Sequence, residues 1–90
     1  MGDETESGET KQGLNKGFIE IRVKVGGIYQ RKKFTVSEVI HPFGKFKCLI
    51  ADNNVSPVEM LRISEEYKIP VKNSLATVFP KGKSVKDFII

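Results

Sequence analysis

The chain has one cysteine, one histidine and no tryptophan in 90 residues. A lone thiol, Cys48, excludes an intrachain disulfide and any metal site built on several cysteines. It fits a reducing compartment, so a cytoplasmic location is expected. No apolar run approaches the roughly 18 residues of a membrane span, and an N-terminus carrying Asp3, Glu4 and Glu6 is too acidic for a signal peptide. Residues 1–17 contain no aromatic side chain, and Leu14 is their one apolar residue besides Met1. Such a stretch cannot bury enough surface to offset its ordering entropy, so it reads as a disordered tail. One folded domain is expected over 18–90.

Catalytic pairings are also scarce. His41 lies in an apparent loop before Pro42, and Cys48 alternates inward with Phe46 and Ile50. Buried cysteines are usually inert, so Cys48 reads as core. Glu65 and Glu66 are adjacent, and adjacent residues project about 100° apart on a helix. Neither Gly26-Gly27 nor Pro80-Lys81-Gly82-Lys83 matches a phosphate-cradling loop. No enzyme, cofactor or metal is expected.

Basic residues, by contrast, are plentiful. The net charge of +4 conceals a split: residues 1–17 sum to −2, and residues 18–90, with 13 Lys/Arg against 7 Asp/Glu, sum to +6. A basic body favours an anionic partner, although solubility alone accounts for many basic surfaces.

The elements follow from periodicity. FIEIRVKV, residues 18–25, alternates as a half-buried strand, with Ile19, Ile21, Val23 and Val25 on one side. Gly26-Gly27 breaks it. Residues 29–37, with Phe34 and Val36 on one face, form either the second arm of a hairpin or part of a long basic loop containing Arg31, Lys32 and Lys33. KFKCLIAD, residues 45–52, predicts a strand with Phe46, Cys48 and Ile50 facing the core and Lys45, Lys47 and Leu49 facing away.

The most sharply signalled element is the helix at 57–68. Ser56 is its N-cap, Pro57 takes the first helical position and Glu59 completes a capping box. Ile69-Pro70 ends it. Met60, Ile63 and Tyr67 share one face; Glu59, Arg62 and Glu66 lie opposite. Residues 74–79 predict a strand, 80–83 a turn, and Ser84–Asp87 a short helical turn. An amphipathic helix among strands makes the fold α+β, with a mixed sheet of 4–5 strands packed on one main helix, in the manner of a β-grasp roll.

If the 45–52 strand and the helix pack as neighbours, Lys45, Lys47 and Arg62 flank one surface, and Arg31, Lys32 and Lys33 extend it. The plainer reading is that strand lysines guard a sheet edge against aggregation.

The series FIEIRVKV, KFKCLIAD, NNVSPVEMLRISEEYKIP and SLATVFPKGKSVKD resembles the Ras-association type of ubiquitin-like domain. That family has a first strand, a basic second strand, a helix of the form T-x-x-E-x-L-x-x-x-x-E-x-Y-x-I, and a strand of the form L-x-E-V-F-x-x-G. Ser56, Glu59, Leu61, Glu66, Tyr67 and Ile69 stand in nearly the order of the helix pattern, and Leu75, Val78, Phe79 and Gly82, with Asp87 beyond them, in nearly that of the strand. The likeness covers about 18–90, with 26–44 as an insert; the closing strand of such a domain is either Phe88–Ile90 or missing.

The resemblance implies a monomeric signalling module that binds a GTP-loaded Ras-family GTPase by strand addition and is recruited to the membrane by that partner. By position Lys45, Lys47 and Arg62 would face acidic residues of the switch region, with Lys33 beside them. Two other readings stand next to it. One is a ubiquitin-like domain without a GTPase partner, acting as a scaffold or an intramolecular contact. The helix region also resembles ubiquitin-fold modifiers, but conjugation needs a C-terminal glycine and this sequence ends Phe88-Ile89-Ile90. The other is a small nucleic-acid binder using Arg31, Lys32 and Lys33 with Tyr29 and Phe34. It lacks an RNP or zinc signature and ranks behind the GTPase reading.

Overall fold

The computed structural model describes residues 17–90. The expected tail therefore lies outside the described residues, except for Gly17. Five strands form one mixed sheet in sequential order: β1 (Phe18–Val25), β2 (Ile28–His41), β3 (Gly44–Ile50), β4 (Val71–Lys72) and β5 (Thr77–Val78). The helix α1 (Pro57–Tyr67) joins β3 to β4, and those two strands run parallel. A crossover of this length is what a parallel neighbour requires. The fold is α+β, with one main helix on a mixed sheet.

β1 to β3 form a meander. Gly26 and Gly27 have φ of 59° and 83°, the left-handed geometry of a two-residue hairpin turn whose twist matches the strands it joins. Val25 then pairs with Ile28, and pairing continues to Phe18 opposite Thr35. Residues 26–44 are therefore not an insert. They are the turn and a 14-residue second strand, and the lysines of 45–52 sit on the third strand. At ~3.3 Å per residue β2 covers about 43 Å, which matches the longest dimension of the domain, 43 Å.

The core lies between the sheet and α1. Ile19, Ile21, Val23, Phe34, Leu49, Ala51 and Val71 meet Val55, Met60 and Ile63 there, and Tyr67 packs at the margin. Register corrects the expected facing of β3. Val36 lies opposite Leu49, so Leu49 points to the helix and is buried. Phe46 and Cys48 are buried too, but on the far face. There the Phe79 ring lies 5.8 Å from Phe46, and Phe88 lies 6.1 Å from Phe79. Alternation alone implies one buried face, whereas β3 is covered on both.

Local signals around α1 hold with one change. The Ser56 hydroxyl accepts from the Glu59 amide at 3.2 Å, and Lys68 caps the C-terminus at φ 59°. Glu59 turns its carboxylate toward Arg62 at 2.8 Å, so the reciprocal half of the capping box gives way to an ion pair. The strand expected at 74–79 shrinks to β5. Asn73 is buried and its side-chain oxygen accepts from the amides of Leu75 and Ala76, both at 2.9 Å, which bends the chain after β4. Ile89 bridges antiparallel to Phe46, and the Ile90 amide donates to the Lys45 carbonyl at 2.9 Å. This terminal pairing occupies the part of β3 that β4 does not reach.

Candidate functional site

In an antiparallel pair, residues directly opposite share a face. The outer face of the β1–β2 hairpin therefore carries four rows: Phe18 with Thr35, Glu20 with Lys33, Arg22 with Arg31, and Lys24 with Tyr29. Rows on one face are two residues, or roughly 7 Å, apart. Arg22, Lys24, Arg31 and Lys33 are exposed. One acid stands among them, Glu20, 3.9 Å from Arg31.

Two aromatics interleave with these cations. Tyr29 is 56% exposed, with the Arg22 guanidinium 5.1 Å and the Lys24 ammonium 5.7 Å from its ring centre. Lys33 lies 4.5 Å from the Phe18 ring. Cations held against ring faces are fixed in place without being neutralised. The result is a platform that pairs stacking surface with positive charge.

The basic triplet divides by parity. Arg31 and Lys33 point to the outer face. Lys32 points to the helix side, where its ammonium bonds Asp52 at 3.3 Å. Phe34 is completely buried and is a core residue. Arg22 and Lys24 join the platform from β1; the first strand's own alternation places them outward, and only the pairing with Arg31 and Lys33 groups them.

Lys45, Lys47 and Arg62 are not brought together. The Arg62 guanidinium donates to Glu59 and Glu66, and at 2.7 Å to the Arg22 carbonyl. It ties α1 to β1. Lys47 pairs with Glu38 and Arg22 with Arg31, so the two lie seven positions apart along β2, roughly 23 Å at ~3.3 Å per residue. Lys45 makes a 3.4 Å ion pair with Glu38. Lys47 borders an apolar groove of about 380 Å³ with Tyr67, Lys68, Ile69 and Phe88.

Cys48 and His41 do not form a nucleophilic pair. Cys48 lies opposite Ser37 and is buried, and burial raises its thiol pKa, against a smaller opposing effect of Lys72. Activation needs the reverse shift. The His41 Nδ1 accepts from the Phe43 amide at 3.2 Å, and its ring sits 5.2 Å from Phe43 and 6.4 Å from Phe46. Among the described residues no helix is long and apolar enough to cross a membrane. No family model, curated protein or solved structure matches the chain.

Proposed function

We propose that this chain is an interaction module that binds single-stranded nucleic acid across the outer face of the β1–β2 hairpin. One observation carries the reading: Tyr29 is exposed amid Arg22, Lys24, Arg31 and Lys33 on one uncovered sheet face. Single strands are held by this combination, since bases stack on aromatic rings or guanidinium planes while phosphates meet lysine and arginine. Location in the cytoplasm, where Cys48 stays reduced, goes with it. The test is a titration of a random single-stranded oligonucleotide at 50 and 200 mM salt. Binding that weakens steeply with salt supports the reading; no binding at 50 mM salt ends it.

A second reading keeps the Ras-association type of ubiquitin-like domain. Its support is that the second strand is the one bearing Arg31, Lys32 and Lys33, as in that family, beside an edge strand, β1, of eight residues. Arg31 and Lys33 would then face an acidic switch region, and β1 would offer its edge for strand addition. A panel of small GTPases separates the two readings. Binding of GTP-loaded forms with little binding of GDP forms supports this one, and equal binding of both sinks it.

A further inference from the structure

The outer face of β2 does not stop at Lys33. Register carries it on through Thr35, Ser37, Val39 and His41 without a bulge. At the His41 end this track enters a cleft of about 470 Å³, within the usual size of small-ligand pockets. Val39, His41 and Phe46 line its sheet side; Phe79, Lys83 and Ser84 line the side made by the C-terminal segment. The Phe46 and Phe79 rings are 5.8 Å apart and tilted by 42°, so they pack on each other; Phe46 is buried, and the half-buried Phe79 and His41 supply the accessible ring surface of the cleft.

The charge at the mouth is positive. Lys83 lines the cleft, and Lys86 lies 5.3 Å from the Phe43 ring. The nearby acid, Asp87, is engaged by its own turn, where it accepts from the Ser84 amide at 2.8 Å. Ring surface from Phe79 and His41 with cations at the rim selects a flat ring that carries negative charge beside it.

We infer that this cleft binds one nucleobase of a single strand, with its phosphate on Lys83; the inference rests on the nucleic-acid reading of the hairpin face. The cleft and the platform sit at opposite ends of one strand. From Tyr29 to His41 is twelve positions, roughly 40 Å at ~3.3 Å per residue. A strand long enough to occupy both gains from effective concentration, and a shorter one engages one end only. Affinity therefore rises in a step with oligonucleotide length.

The test uses the full chain, with adenosine 5′-monophosphate and a random 16-nucleotide single strand as probes, read by NMR shifts and anisotropy. The mononucleotide is expected to shift His41, Phe79 and Lys83. Lys83→Glu, at an exposed position, is expected to abolish those shifts and to weaken the 16-mer between about fivefold and a hundredfold, the worth of one stacked base. Tyr29→Ala is expected to weaken the 16-mer while the mononucleotide still shifts His41, Phe79 and Lys83. If the 16-mer binds but Lys83→Glu does not affect it, the cleft inference is overturned and the hairpin reading stands. Absence of 16-mer binding overturns both. A cleft that responds to an acidic, phenylalanine-containing peptide and not to the nucleotide overturns the inference in favour of a protein partner.

Discussion

Arg22 and Arg31 lie directly opposite each other across the β1–β2 hairpin, on the side away from α1. Like charges so placed cost a sheet stability. Glu20 offsets little of this, because its 3.9 Å contact to Arg31 is about half exposed. Arg31→Thr is therefore expected to leave the fold as stable or to raise its stability by up to about 0.5 kcal/mol in urea titration. Oligonucleotide binding should weaken in the same protein, with the salt slope falling by about 0.7. Lower stability with unchanged binding would assign the pair to folding alone.

Tyr29 separates stacking from charge. Tyr29→Phe keeps the ring and is expected to bind within twofold of the parent, whereas Tyr29→Ala should lose about 1–3 kcal/mol of binding energy. At 56% exposure the residue adds little to the core, so the melting temperatures of both variants should stay close to the parent's. Anisotropy on the two variants checks this; equal affinities would remove the stacking role.

Arg62 belongs to the fold. Its bonds to the Arg22 carbonyl, Glu59 and Glu66 lead to an expected loss of about 1 kcal/mol for Arg62→Ala. Ser56→Ala should cost a similar amount, about 1 kcal/mol, through the lost N-cap. Neither change should weaken oligonucleotide binding as much as Arg31→Thr does. A large binding loss in Arg62→Ala at full stability would return the residue to the interface.

Cys48 makes stability fall in alkali. Burial raises the folded thiol above its ordinary value of 9.0, so the unfolded chain ionises first. The contribution is fully present below the unfolded pKa and is lost as pH rises through the folded one. Tyr67 adds to the same trend from its ordinary value of 10.0, raised by burial and by Glu66. Urea titrations between pH 8 and 11 should show declining stability, with a shallower decline in Cys48→Ala. A parent and variant with parallel pH profiles would remove the thiol from the account.

Gly44 leaves room for the terminal segment to lie against β3. Its φ is 137°, and a Cβ there would meet Ile89 Cγ2 at 2.8 Å. Gly44→Ala is expected to cost about 1–3 kcal/mol and to disturb the resonances of Phe79 and Phe88 before those of α1. Uniform shifts across the whole domain would contradict this local origin.

Much of the fold is written in short-range pattern. The alternation of Ile19, Ile21 and Val23 against Glu20, Arg22 and Lys24 marks β1, and Ser56, Pro57 and Pro70 bracket the helix. β2 is harder to read because the helix covers only part of it. Its inward positions include Gln30, Lys32 and Glu38 as well as Phe34 and Val36, so hydrophobic alternation breaks up and leaves a hairpin arm and a basic loop both compatible with the sequence. The two residues of β4 carry no periodic signal. The platform shows a similar division. Arg31 and Lys33 stand out as basic, but their grouping with Arg22, Lys24 and Tyr29 depends on the Gly26-Gly27 turn setting the register.

By itself the sequence determined the local elements, because caps, breakers and periodicity act over a few residues. It also determined the surplus of positive charge in the body. Only the tertiary structure decided which cations share a face. Arg62 follows the lysine-bearing β3 in sequence, yet α1 crosses toward β1 and bonds the Arg22 carbonyl. Lys32 sits between Arg31 and Lys33, yet strand parity turns it inward to Asp52. The physical reason is the two-residue side-chain period of a strand, which assigns faces only after the hydrogen-bonded register is set by contacts distant in the chain.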